Sequence, residues 1–163
     1  MPEIINMAEK DIEKIYKMLN WENPPSIRLE GARLAREVHD LSLLIQPPAP
    51  PSVWEYCAEI LSEKSDVALE PYLDKLLEWL QDINWPGAFT IANRLKIFSG
   101  EKLKQSLENA IAESNKMLNE ERLRWIDYLS ELLDNKELIC NLSEEVLILL
   151  KKHYRNWGYW YSE

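Results

Sequence analysis

Residues 76–95 read LLEWLQDINWPGAFTIANRL, and this stretch decides the fold. Its first part continues a pattern that begins at Leu69, with apolar side chains at Leu69, Leu73, Leu76, Leu80 and Ile83 and with Tyr72 and Trp79 beside them. That three-or-four spacing belongs to an amphipathic helix and not to a strand, which alternates. On the opposite face Glu70, Asp74, Glu78 and Asp82 recur every fourth residue and form an acidic ridge. Asn84-Trp85-Pro86 then stops one helix and starts another. A residue before proline avoids the α region, and a proline in the first turn of a helix gives up an N–H that had no partner there. The second helix carries Ala88, Ile91, Ala92, Leu95 and Phe98 on one face and ends at Ser99-Gly100, where glycine suits a left-handed cap. The short turn predicts two antiparallel helices packed on each other, with Leu76, Trp79, Leu80, Trp85 and Leu95 in one core. Two tryptophans so close can also stack on a base or a sugar, but both fall where a helical hairpin needs bulk.

The same residues carry a resemblance. Leu77-Glu78-Trp79-Leu80-Gln81-Asp82-Ile83-Asn84-Trp85-Pro86, with Ala88 after the intervening glycine, resembles the signature of a family of small bacterial proteins classed as a domain of unknown function. The resemblance runs from 71 to 98 and more loosely from 23 to 133. It implies a helical, HEAT-like fold and brings no catalytic or binding residues with it.

Composition agrees with helix. The chain has 163 residues, four glycines and nine prolines, too few glycines for the many tight turns of an all-β protein or for a phosphate-cradling loop. One domain spanning 1–163 is expected, long enough to bury about 70% of the surface of its unfolded chain. The 19 basic and 28 acidic residues give a formal charge of -9, which repels nucleic acid unless cations gather on one face. No such gathering is visible. Instead residues 55–82 hold eight carboxylates against two lysines, two thirds of the net charge in one short region. Cys57 and Cys140 are isolated, without metal or dithiol spacing, and suit a reducing cytoplasm. No secretion leader and no membrane span is expected, since the longest aliphatic run is 146–150.

Outward from the centre, the spacing predicts a first helix over 8–19 with Ile12, Ile15, Met18 and Leu19 inward. A second covers 26–38, with Ile27, Leu34 and Val38 facing in and Gly31 marking close contact with another helix. Asn23, Pro25, Arg33 and Leu34 match Asn84, Pro86, Arg94 and Leu95 at a constant offset of 61, longer than a HEAT unit of about 40 to 47 residues. A degenerate α-solenoid and a plain bundle both fit. Residues 46–51, QPPAPP, form a stiff proline-rich connector rather than a ligand for a proline-binding module. A third helix begins at Ser52, buries Trp54, Cys57, Ala58 and Leu61, and shows Glu55, Glu59 and Glu63 outward. Two more follow Gly100, one through Leu103, Leu107, Ala110 and Ile111, the next through Leu123, Ile126, Leu129 and Leu133. A last helix is capped by Ser143 and carries Val146, Leu149 and Leu150. The aromatic tail over 153–163 is expected to fold back on the last helices. The sum is about seven to nine helices in antiparallel hairpins, HEAT-like.

Site chemistry is thin. The chain has no GxSxG, no phosphate loop, no HExxH and no di-iron spacing. His39-Asp40 lies where the second helix ends, where a histidine commonly meets the negative helix terminus, and His153 stands alone. No catalytic residue, metal ligand or cofactor is assigned. What remains is the acidic surface, Glu55, Glu59 and Glu63 followed by Glu70, Asp74 and Glu78, read as the face that recognises a protein with a basic surface. The function expected is protein interaction, including the case of a small acidic immunity-type protein masking a basic toxin. The alternative is a HEAT-like enzyme acting on nucleic acid, which the charge opposes. Neither nucleic acid nor membrane is an expected partner. Far-ultraviolet circular dichroism should show a helix-dominated spectrum, and a substantial strand component would refute the reading.

Overall fold

Pro71 breaks the long helix that the apolar spacing predicts over 69–83. In the computed structural model, which describes residues 11–155, that segment is a short helix α4 (Asp66–Leu69), a 3-10 turn (Glu70–Tyr72), helix α5 (Leu73–Glu78) and a second 3-10 turn (Trp79–Gln81). Proline lacks the N–H that the helix needs and crowds the preceding turn, so the axis is reset at that point. The apolar register survives the break: Leu69, Leu73, Leu76, Leu77, Trp79 and Leu80 are all buried.

The fold is all-α, with no strand among the described residues. Helix α1 (Ile12–Leu19) and α2 (Pro25–Ala35) form the first hairpin, followed by a 3-10 turn (Leu41–Leu44) and α3 (Pro51–Ser62). Beyond the central segment come α6 (Ala88–Leu95), α7 (Glu101–Ser114), α8 (Asn119–Leu129), a 3-10 turn (Ser130–Asp134), α9 (Lys136–Asn141) and α10 (Glu144–His153). Their inward side chains make one hydrophobic cluster from Ile15 to Leu150. No helix of the described residues is long and apolar enough to cross a membrane.

The turn into α6 differs from the expected one. Pro86 does not open the helix; it lies in the turn, and Gly87 precedes α6 with φ of 85°. Glycine is needed there twice over. Only glycine takes that left-handed conformation without strain, and a Cβ would sit 2.7 Å from the Ala58 Cβ and 2.8 Å from the Trp79 ring. The wholly buried Trp79 donates its indole N–H to the Pro86 carbonyl at 3.0 Å. Trp79 also meets Trp54 edge to face, with centroids 6.2 Å apart. The helices flanking the turn do not take each other as main partners: α6 packs along α3 and meets the Trp79–Gln81 turn, while α5 packs along α7.

Trp85 is half-buried, not a core residue like Trp79; it rests on the cluster with its ring edge-on to Trp54 at 6.3 Å. Ile27 is also exposed, because the buried stripe of α2 runs through Gly31, Ala32 and Ala35. Gly31 earns its place by proximity, since a Cβ would lie 2.8 Å from the Met18 Cβ. The residues matched at an offset of 61 do different jobs: Arg33 is an exposed partner of Glu30 and Glu37, whereas Arg94 is nearly buried against Asp66 at 2.6 Å. Pro47 of the connector is buried, and its carbonyl accepts the Trp54 indole N–H at 2.8 Å. The expected parts at 8–10 and in the aromatic tail at 156–163 lie outside the described residues.

Helix α9 has no counterpart in the apolar spacing and depends on Asn135. This buried side chain accepts from the Leu138 N–H at 3.0 Å, capping α9, and donates to the Leu95 and Phe98 carbonyls at 2.9 Å, closing the end of α6.

Gly87→Ala should combine a left-handed strain and an overpacking cost, together about 2 to 4 kcal/mol, read as a lower urea midpoint. Trp79→Ala should lose about 3 to 5 kcal/mol, and Trp85→Ala clearly less because part of its ring already faces solvent.

Candidate acidic groove

Helix α5 presents Asp74 and Glu78 one turn apart, away from its buried leucines, and both are exposed. Across from them stands α7, and between the two lies a cavity of about 360 Å³ bordered by Asp74, Glu78, Ser106, Asn109, Glu113 and Trp125. Trp125 is buried and fixed from below, its indole N–H donating at 2.9 Å to the Leu77 carbonyl near the end of α5. That bond satisfies a carbonyl that the 3-10 bend would otherwise leave weakly held. Glu113 pairs with Lys116 at 3.0 Å, both largely exposed. Among the described residues no cationic side chain borders the cavity.

One turn further along both walls is a second cleft of about 170 Å³. Gln81, Asp82 and Trp85 form one side, and Met117, Glu121 and Arg124 the other. Its apolar surface comes from the open part of the Trp85 ring and from Met117, both half-buried.

The six carboxylates read from the sequence fall on two supports. Glu55 and Glu59 are exposed on α3, and Glu63, just past its end, is held by Arg36 through contacts of 2.8 and 3.0 Å. Arg36 holds the Glu63 carboxyl below its ordinary range. Glu70 opens the 3-10 turn at Pro71, and Asp74 and Glu78 follow on α5. Glu55, Glu59, Glu70, Asp74 and Glu78 have no ion-pair partner among the described residues. The groove therefore collects Asp74 and Glu78 and adds Glu113, which sequence reasoning did not single out. Its signal was available: Ser106, Asn109 and Glu113 share a face of α7 that flanks the buried stripe of Leu103, Leu107 and Ala110.

His153 is not alone. Its Nδ1 lies 2.7 Å from an Asp127 carboxylate oxygen, and the pair is buried between α8 and the end of α10. An aspartate among buried residues of α8 was the clue, but its partner is 26 positions away. His39 is exposed, and Asp40 accepts from the Ser42 N–H and hydroxyl at 3.1 and 2.6 Å, capping the 3-10 turn instead of orienting the histidine. Burial pushes the Cys57 thiol up to about 12, so it is no nucleophile near neutral pH. Among the described residues no three His, Cys, Asp or Glu side chains converge as metal donors.

Residues 55–156 match the sequence profile of the family described as "Domain of unknown function (DUF5071)". The match spans α5, α7 and α8 and so includes the whole groove. No curated protein matches the chain, and no solved structure does.

The last helix is tied down by a pH-sensitive contact. The Tyr154 hydroxyl donates to Asp134 at 2.6 Å and Lys96 approaches the same carboxyl at 3.1 Å; these hold it below the ordinary aspartate range, against an opposing push from burial. A carboxyl depressed by folding stabilises the folded state above its unfolded value and loses that contribution as pH falls through its folded value. The Tyr154 contact should therefore be intact at pH 6 and weaken as the solution is acidified below about pH 4. Tyrosine fluorescence or NMR of Tyr154 should follow that change, and Asp134→Asn should abolish it.

Proposed function

We propose that this chain, which belongs to the DUF5071 family, is a protein-interaction module whose acidic faces recognise a partner with a basic surface. The observation that carries the reading is the groove between α5 and α7, where Asp74, Glu78 and Glu113 border one cavity that no described cationic side chain lines, Lys116 meeting Glu113 from outside it. Like charges four apart on a helix repel by a few tenths of a kcal/mol per pair. Folding gains nothing from Asp74 and Glu78, since both project from the core; a cationic partner does.

Other features support the same reading. The helix pairs that pack, α1 and α2 on α3, α3 on α6, α5 on α7 and α7 on α8, suit a degenerate HEAT-like solenoid that displays a long surface. We read the chain as one domain of a bacterial, cytoplasmic family; the free Cys57 and Cys140 suit a reducing compartment. A small acidic immunity-type protein that covers a basic toxin is the most concrete form of the proposal. The charge argues against an enzyme on nucleic acid, because the carboxylates that line the groove repel phosphates.

The test is charge reversal. Glu70→Lys, Asp74→Lys and Glu78→Lys together should leave the unfolding midpoint nearly unchanged, while slowing association with a basic partner protein and flattening its salt dependence. Wild-type association rates at low and high salt would reduce these residues to a solvated face. Tight binding of single- or double-stranded DNA at low salt would overturn the proposal as a whole.

A further inference from the structure

The two clefts along α5 are neighbours. Asp74 and Glu78 border the first, and Gln81, Asp82 and Trp85 border the second; on the opposite wall Glu113 is followed one turn later by Met117. The first has carboxylates over a tryptophan and is closed to anions. Its acceptors are spread along two helices, Asp74 and Glu78 on one and Ser106, Asn109 and Glu113 on the other. Such a spread suits a planar guanidinium, whose five N–H donors point outward, better than a compact ion, and no three acidic or imidazole side chains of the described residues converge on a point as a metal requires. At about 360 Å³ it stands near the lower end of the range for small-molecule pockets, enough for one long side chain.

The second cleft is of another kind. Trp85 is held from behind by its edge contact with Trp54, so its open side is fixed before anything binds. Facing it is Met117, a flexible side chain that adapts to apolar shapes. Glu113 and Met117 on one wall, and Glu78 and Asp82 on the other, stand four positions apart, about 6 Å at 1.5 Å per residue. That is about two residues of an extended peptide, whose alternate side chains share one face.

We propose that this composite groove binds an extended segment of the partner protein, an arginine entering between Asp74, Glu78 and Glu113 while an apolar side chain two positions along, on the same face of the segment, packs on Trp85 and Met117. The proposal rests on the reading of the chain as a binder of basic proteins and specifies its site and its ligand. Charge complementarity selects the occupant of the first cleft, and the preformed tryptophan face selects that of the second.

The probe is the blocked peptide acetyl-Arg-Gly-Leu-amide, titrated into the full chain at low salt and followed by nitrogen-15 correlation spectra. The amides of Glu78, Asn109 and Glu113 and the Trp85 indole should shift together, with one dissociation constant. Acetyl-Arg-Gly-Gly-amide should bind about fivefold more weakly and leave the indole in place. Asp74→Asn with Glu78→Gln should weaken binding about tenfold and remove most of its salt dependence, and Met117→Ala should reduce the advantage of leucine over glycine. If the leucine peptide binds no better than the glycine peptide, and Glu55 and Glu59 shift as much as the groove, the groove inference is overturned while the acidic-surface reading stands. If octa-arginine also fails to bind at low salt, that wider reading falls with it.

Discussion

A single buried tryptophan holds the centre of the structure in place. Trp79 is wholly inside, bonded through its indole N–H to the Pro86 carbonyl, pressed on Gly87 and met edge-on by Trp54. An indole N–H taken from water without a partner costs free energy comparable to a lost hydrogen bond, so the turn must bring a carbonyl to it. The turn does so only if residue 87 adopts a left-handed conformation with no Cβ, which brings α6 against α3 at Ala58. The rest of α5 is then free to lie along α7, and the groove opens between them.

Polar links between the helices carry the remaining connections. Arg94 of α6 reaches back to the Lys64 carbonyl at 2.8 Å and to Asp66 at 2.6 Å, fastening α6 to the corner after α3. Asn135 joins the end of α6 to the start of α9, and Asp127 joins α8 to the last turn of α10 through His153. Asn23 plays a smaller part of the same kind, donating to the Lys17 and Met18 carbonyls at the end of α1. Asn135 and Asn23 satisfy backbone groups that helix termini leave open, so there the layers are connected by the same bonds that end the helices, whereas Asp127 and His153 meet side chain to side chain. Such a framework is rigid, and it presents its acidic faces at little conformational cost on binding.

The helices with a clean apolar stripe were legible in the sequence: Ile15 and Leu19 in α1, Cys57, Ala58 and Leu61 in α3, Leu103 and Leu107 in α7 are buried as their spacing requires. Gly31 was legible too, because a mid-helix glycine has a cost that only close contact repays. Pro71 was overlooked because the apolar register runs through it unbroken, although the backbone does not. Trp85 looked like core because spacing cannot say how much of a large ring a turn will cover. The contacts of Asn135, of Asp127 with His153, and of the Glu113 wall with α5 went unread for a common reason: each acts across tens of residues, and periodicity reports only what one helix does. Of the six acidic residues read as one surface, Asp74 and Glu78 meet in the groove, while Glu63 is turned aside by an arginine on α2's end that nothing nearby in the chain foretells.

Trp79 sits at the point where the helical framework and the groove depend on one contact, and amide and indole hydrogen exchange of the native chain, resolved by NMR, tests this directly. The Trp79 indole N–H should exchange only with global unfolding, at the same free energy as the slowest core amides of α3 and α6. Exchange of that proton by local opening, at a rate close to that of the Trp85 indole, would contradict it.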